Sequence, residues 1–420
     1  MSKRKMKDSG VEWLGEIPAE WDVVPARNLF SEVKDKNIDG KVTRQFSFRY
    51  GKIVDKDKSG RSDVTTDETI TAYRIVTPDT IMINGLNLNY DFISQRVAIV
   101  EERGIITSAY LALCPNKKLI EPAFAVYLFK GYDSKQVFHG HGSGIRKTLN
   151  YSDFKEIKTV CPDLSTQRKI AAYLDVRCAK IDAMIGDAKK TIEEYKAWKA
   201  SVIFEAVTGK NTGSKMKDSG VEWIGRMPDG WRVIPVRYLL VEKNVRSEAG
   251  LEEPLSMSQV HGVVPSKMIT VANPASSYVG AKVVSVGDLV FNKLKAHLGV
   301  FAISRYAGLV SPDYAVYQSR GICDMSLLMW AFHTPQCISE FKKNVTGIGA
   351  GLSRLYTSDL YRIKVPVPSV EEQLRLVDFL DKKCAAIDRV ISAKESLIAD
   401  LEAYKKSLIF ECVTGKMEVA

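Results

Sequence analysis

No run of about 18 apolar residues occurs anywhere in this 420-residue chain, so a membrane-spanning helix is not expected. The N-terminus, MSKRKMKDSG, is basic but no apolar stretch follows it, and it does not read as a secretory leader. Cysteine is sparse: Cys114, Cys161, Cys178, Cys323, Cys337, Cys384 and Cys412 form no C-x-x-C pair and no Cys/His ligand spacing. Structural zinc and a disulfide framework are therefore not expected, and the odd count suggests reduced thiols in a cytoplasmic protein.

Nucleotide and methyl-transfer signatures are missing as well. Gly347-Ile348-Gly349-Ala350-Gly351 has G-x-G-x-G spacing, but no G-x-x-x-x-G-K-[ST] loop follows a strand anywhere. An N-P-P-[FY] motif is absent, and Asn273-Pro274-Ala275 breaks that pattern. A nuclease-type P-D, spacer, E-x-K pattern has formal matches at Pro312-Asp313 with Glu340 and Lys342, and at Pro162-Asp163 with Glu194 and Lys196. Hydrolysis would need those side chains to converge on a metal. The Pro312 match has no counterpart in the other half of the chain, and the Pro162 match straddles a helix. His139-Gly140-His141 has no Cys or carboxylate beside it. A DNA-processing enzyme built on the Pro312 region is retained as one alternative, and a protein-binding scaffold as another.

What the chain does contain is a duplication. Met6 to Arg27 and Met216 to Arg237 agree at 14 of 22 positions, and 201–210 agrees with 407–416 at eight of ten. A seam of apolar positions spaced alternately by three and four runs from Leu174 through Cys178, Ile181, Ile185, Ala188, Ile192, Tyr195, Lys199 and Val202 to Ala206. It recurs 206 residues later, from Leu380 to Cys412, with Lys405 in the place of Lys199. Heptad periodicity of this length predicts long helices over Gln167–Val207 and Gln373–Val413, each a rod of roughly 60 Å, whose readiest partner is the other copy. Asp163 is expected to cap the first, Ser369 with Glu372 to form a capping box on the second, and Gly209 and Gly415 to end them.

Between these markers the two variable segments, about 28–160 and 238–366, mix short β-branched runs with polar turns, which reads as α+β. Ser47–Gly51 is set opposite Ser258–Gly262, and Pro78–Asn84 opposite Gly287–Asn292. The predicted architecture is two similar α+β domains, 1–162 and 210–368, separated by spacer helices 163–209 and 369–415 that pair antiparallel about a pseudo-two-fold axis.

The net charge of +10 favours a polyanionic partner. Duplicated turns mixing Lys, Arg, Asn and aromatics supply candidate contacts to DNA. They are Arg49, Tyr50, Asn84, Asn87, Asn89, Arg146 and Lys147 in one half, and Gln259, His261, Asn292, Lys293, Lys295, His297 and Arg354 in the other. Asn suits bidentate contact with adenine, and Arg or Lys suits guanine or phosphate. Arg146 and Lys147 are matched with Arg354 beside a Gly-rich turn. No catalytic or metal-ligating residue is assigned.

The two M-K-D-S-G-V-E-W-[LI]-G-x-[IM]-P-x-x-W segments, the two Gly-rich basic turns and the proline-to-glutamine approach to each long helix (Pro162 to Gln167, Pro368 to Gln373) together resemble the specificity subunit of type I restriction-modification systems. The resemblance covers essentially the whole chain. It implies a non-catalytic DNA-recognition subunit whose two target recognition domains each read half of an asymmetric bipartite site, with the helix pair as a ruler. It implies two methylation subunits and two restriction subunits as partners, with S-adenosylmethionine, ATP and Mg held by those partners. The repeated segments, with Trp13, Trp21, Trp223 and Trp231, would be docking anchors for two copies of one partner. With about 34 Å per duplex turn, a 60 Å rod sets the two half-site centres no more than about two turns apart.

Overall fold

A computed structural model of the chain describes all residues except 1–3, 57–69, 93–94, 143, 145–146, 260, 270–276, 346–353 and 420. The chain forms two compact units: Met1–Lys189 with Glu395–Ala420, and Lys190–Lys394. Both long helices cross from one unit to the other, so the first unit is built from two separate stretches of sequence and the second from one.

In the first unit the strands are β1 (Met6–Asp8), β2 (Glu16–Pro18), β3 (Asp22–Pro25), β4 (Phe30–Glu32), β5 (Phe46–Arg49), β6 (Lys52–Asp55), β7 (Arg74–Val76), β8 (Ile81–Ile83), β9 (Val97–Ile99), β10 (Gly104–Ile106) and β11 (Leu111–Pro115). Helices α1 (Pro122–Ser134), α2 (Val137–Gly140) and α3 (Tyr151–Phe154), strand β12 (Lys158–Cys161) and the 45-residue α4 (Leu164–Thr208) follow. A four-stranded antiparallel sheet ordered β4-β11-β8-β9 is its centre. The pleat sends alternate residues to opposite faces. Ile81 and Ile83 join the large core with α1, whereas Met82 joins a small cluster with Phe46, Val76, Val100, Ile106 and Ala112.

The second unit repeats this plan. Its strands are β13 (Met216–Asp218), β14 (Arg226–Pro228), β15 (Arg232–Pro235), β16 (Leu240–Glu242), β17 (Leu255–Ser258), β18 (Gly262–Pro265), β19 (Lys282–Val284), β20 (Leu289–Asn292), β21 (Phe301–Ile303), β22 (Gly308–Val310) and β23 (Tyr314–Ser319). Then come α5 (Met325–Phe332), α6 (Pro335–Lys343), α7 (Thr357–Leu360), β24 (Lys364–Val367) and the 44-residue α8 (Val370–Val413). Its sheet is ordered β16-β23-β20-β21, and each smaller strand pair of the first unit has its counterpart. Leu289 and Phe291 face the large core, and Val290 faces the small one. The α+β class and the internal repeat expected from the sequence are both present.

The long helices pack antiparallel. In the first unit Cys178, Ile181 and Ile185 of α4 share a core with Leu408, Ile409 and Cys412 of α8. In the second, Ala206 and Val207 at the end of α4 share one with Leu376, Leu380 and Cys384 near the start of α8. Both seam lysines find a carboxylate on the facing helix: Lys199 Nζ lies 2.7 and 2.6 Å from the Asp388 oxygens, and Lys405 Nζ 2.7 and 2.6 Å from those of Asp182. Such half-exposed pairs contribute at most about 1 kcal/mol. Their larger effect is on register, since a shifted pairing strands two cations in an apolar seam.

Each long helix is bolted to its domain by the glutamine in its first turn. Gln167 Nε2 donates to the carbonyls of Pro162 (2.7 Å) and Leu119 (2.9 Å), and its Oε1 accepts from Glu121 N–H at 2.7 Å. Gln373 repeats this with Pro368 (3.0 Å), Ile322 (3.2 Å) and Asp324 N–H (2.7 Å). Both side chains are buried, where an amide left without partners is costly. Asp163 caps α4 through Thr166 N–H at 3.0 Å. The expected capping box on α8 is only half formed: Ser369 Oγ accepts from Glu372 N–H at 3.4 Å, while the Glu372 carboxylate takes the Trp231 indole N–H at 2.9 Å.

Gly209 and Gly415 end the helices at φ +71°, as their left-handed backbone requires. A Cβ on Gly209 would lie 2.4 Å from the Pro228 ring and 3.0 Å from Trp231. One on Gly415 would meet Pro18 and Trp21 at the same distances. The repeated V-T-G and P-x-x-W markers are thus two sides of one joint.

Candidate nucleic-acid interface

In the first unit three turns converge. Strands β5 and β6 are joined by Tyr50 and Gly51, both with positive φ, and the register sets Arg49 directly opposite Lys52. Two cations facing each other across a hairpin repel unless an anion relieves them. Tyr50 is 85% exposed at the tip. A Cβ on Gly51 would touch Gln95, so this tip lies against the segment leading into β9. The loop after β8 is in turn bonded to the Gly-rich turn: Leu88 N–H donates to Lys147 O (3.0 Å), and Leu149 N–H to Gly85 O (2.9 Å). Arg49, Tyr50, Asn87 and Lys147 are exposed, and Asn84 and Asn89 are half-buried. Arg146 lies outside the described residues, as do Val260, Asn273–Ala275 and the glycine-rich 347–353.

The second unit gathers the same elements with different side chains. Gln259 Nε2 donates to Leu298 O at 3.4 Å, which ties the β17–β18 turn to the loop after β20. Leu355 N–H donates to Lys293 O at 3.0 Å, as Leu149 does to Gly85. Arg354 lies 3.9 Å from the Asp313 carboxylate. The Lys293 ammonium is pushed below the usual lysine range, chiefly by burial and then by the cations of Lys282 and Arg354. Beside them Gln259, His297, Leu298, Gly299, His333, Ile338 and Lys342 line an open cleft of about 430 Å³. His261 and Lys295 are exposed, and His297 is half-buried with its Nδ1 unpartnered.

These contacts correct several expectations. Lys293 O and Gly85 O accept from Leu355 and Leu149, so Arg354 sits opposite Thr148 rather than Arg146 and Lys147. In the hairpins, Phe46 pairs with Asp55 as Leu255 pairs with Pro265. Ser47 therefore corresponds to Ser256, two positions from the match read off the sequence. Asn84 and Asn292 do occupy equivalent places at the ends of β8 and β20. Each, however, accepts the N–H two residues on, from Leu86 at 3.2 Å and from Leu294 at 3.1 Å. An amide whose oxygen holds its own turn is poorly placed for bidentate contact with a base.

The anchor tryptophans are also placed differently from the expectation. Trp21, Trp223 and Trp231 are buried at 1, 6 and 3% exposure, and Trp223 Nε1 donates to Lys364 O at 3.0 Å. Trp13 packs edge-on against Tyr132 with ring centroids 4.5 Å apart. These indoles hold the segment to its own unit and leave little surface for a partner. Of the formal nuclease matches, Asp313 faces Arg354 and Glu340 accepts from Lys343 at 2.7 Å. Among the described residues no three His, Cys, Asp or Glu side chains gather as a metal site. No described helix is long and apolar enough to cross a membrane.

Two further cations lie among these turns: Lys52, opposite Arg49, and Arg96, wholly buried just before β9. Arg96 carried one signal, a lone cation at the head of the apolar run Val97–Val100.

The class defined by this architecture is a duplicated α+β chain with two long helices paired antiparallel and similar polar turns in each unit. No family model matches the sequence. The chain is 25% identical over 437 residues to a Methanocaldococcus jannaschii protein assigned as the type I restriction enzyme MjaX specificity subunit, covering 97% of this chain and 96% of the relative. It is 23% identical over 419 residues to the type I restriction enzyme MjaVIII specificity subunit of the same organism, covering 96% and 94%. Two solved structures share the fold. One is the HsdS subunit from Thermoanaerobacter tengcongensis (TM-score 0.54, 16% identity, 96% of this chain and 98% of that one). The other is a chain from a study of complex assembly and conformational transition of the type I R-M system (TM-score 0.64, 15% identity, 96% and 99%). The chain is a relative of the type I restriction enzyme specificity subunits along nearly its whole length, as its sequence motifs implied.

Proposed function

We propose that this chain is the non-catalytic, sequence-specific DNA-binding subunit of a type I restriction-modification complex. The first unit reads one half of a bipartite site and the second unit the other, through the hairpin tip, the loop after the central strand and the turn that precedes the last short helix. One observation carries this reading: the two units share every strand pairing of their frame, yet their hairpin tips and the loops after the central strand differ in length and side chains. A shared frame with unlike loops fits two related tasks on two unlike sequences. The full-length likeness to named specificity subunits supplies the class of task.

Within that reading, segments 1–162 and 210–368 are the recognition domains, and α4 and α8 set the gap between half-sites. Two methylation subunits dock on the chain and two restriction subunits join through them; S-adenosylmethionine, ATP and Mg belong to those partners. Because three of the four indoles are buried and Trp13 packs on Tyr132, docking on the repeated segments falls to exposed residues that both copies retain, such as Asp8 and Asp218, or Glu12 and Glu222. The decisive experiment maps adenine methylation across the genome of a host expressing this chain with the methyltransferase encoded beside it, and of a host with the methyltransferase alone. A bipartite motif that appears only with this chain is the expected result. Absence of any new motif from a complex shown to assemble would sink the proposal.

A further inference from the structure

The loop after β8 is held from behind by a side chain that never reaches the surface. Arg96 is wholly buried. Its Nη1 donates to the carbonyls of Asn84 and Leu86, each at 2.9 Å, and its Nη2 donates to the carbonyl of Asp91. The Asp91 carboxylate lies 3.5 Å from Nη2. The Arg96 backbone adds two ties: its carbonyl accepts from Asn84 N–H at 2.8 Å, and its N–H donates to the Asp133 carboxylate at 3.2 Å. His139 Nε2 meets the same Asp91 carbonyl at 3.1 Å, under the stacked ring of Phe92. One guanidinium therefore fixes both ends of a turn whose outer residues, Asn87 and Tyr90, are exposed.

The frame itself does not require an arginine here. Asn292 N–H donates to Val300 O in the second unit just as Asn84 N–H donates to Arg96 O, so Val300 holds the equivalent place. The second loop spans 300 − 292 = 8 steps and the first 96 − 84 = 12, four more. The shorter loop closes on itself through a 3-10 turn at Ala296–Leu298. A buried cation is costly and is retained only where several partners meet it. In this fold those partners are the carbonyls of the longer loop.

We infer that Arg96 is a specificity-determining positioning residue: it sets the loop geometry through which the first unit discriminates bases, without touching DNA. This rests on the reading that the loop meets DNA. Bidentate recognition of a base edge depends on placement to within about 0.5 Å, and that placement comes from the residues behind the contact.

The test uses the complex of the full chain with its methylation subunit and a DNA library randomised in each half-site in turn. Arg96→Met removes the donors and keeps the stem. Arg96→Lys keeps a buried cation but cannot bridge three carbonyls, and it carries the test if the methionine variant fails to fold. Both are expected to reduce preference for the favoured first half-site over its neighbours at least tenfold, with the ranking at the second half-site unchanged. A uniform loss of affinity with the first ranking intact would mark a merely structural role and overturn the inference, as would no change at all. Asn87→Ala separates the two layers. If it leaves both rankings intact, the loop does not read DNA and the underlying reading fails. If it alters the first ranking while the Arg96 variants do not, only the role of Arg96 fails.

Discussion

Asp133 shows how a single side chain behind the first loop sets a pH dependence. Burial pushes its carboxyl up to about 6, against the opposing pull of the Arg96 N–H and guanidinium. Because this lies above the unfolded value near 3.8, the folded state holds the proton more tightly than the unfolded chain does. The associated stability is present below about pH 3.8 and is lost as pH rises through about 6. Asp133→Asn keeps an acceptor for Arg96 N–H and never ionises. It should raise stability at pH 7.5 by on the order of 1–3 kcal/mol, read as a higher thermal midpoint, and flatten the slope between pH 4 and 6. Thermal unfolding at pH 5 and 7.5 checks this; a lower midpoint at pH 7.5 would show that the charged form, paired with Arg96, is the stabilising one.

For the elements, the helix ends are the most constrained points. Alanine at Gly209 or Gly415 must hold a left-handed backbone and place a methyl 2.4 Å from a proline ring. Each substitution should cost about 1–3 kcal/mol, read as a lower unfolding midpoint, and an unchanged midpoint for both would mean the joint is loose. These ends, the seam and the caps were legible because helical periodicity and glycine stops are local signals. The paired hairpins were legible as strands but not in register. Identical serines and glycines suggested one alignment, whereas the ladder follows burial, with Phe46 and Leu255 in equivalent inward places. Loops of unequal length hide that shift. The anchor tryptophans were visible but their direction was not, since a repeated indole reads alike whether it faces a partner or a proline of its own unit.

At the scale of the whole molecule, the proposed function makes the two units separable readers on one frame. Exchanging residues 28–160 for the matching segment of a relative with a different target should replace one half of the methylated motif and leave the other half and the assembled complex intact. Sequencing of methylated adenines reads this directly, and a motif unchanged in both halves would show that recognition is not modular. The equivalence of Arg96 and Val300 carries a consequence for heredity. In the first unit a point mutation at a hidden position can reshape a whole loop at once. In the second, Val300 stands at the equivalent place and has no side-chain donor to offer its loop. If the proposed roles hold, the two halves of one gene explore new sites by different routes, the first in jumps and the second in steps.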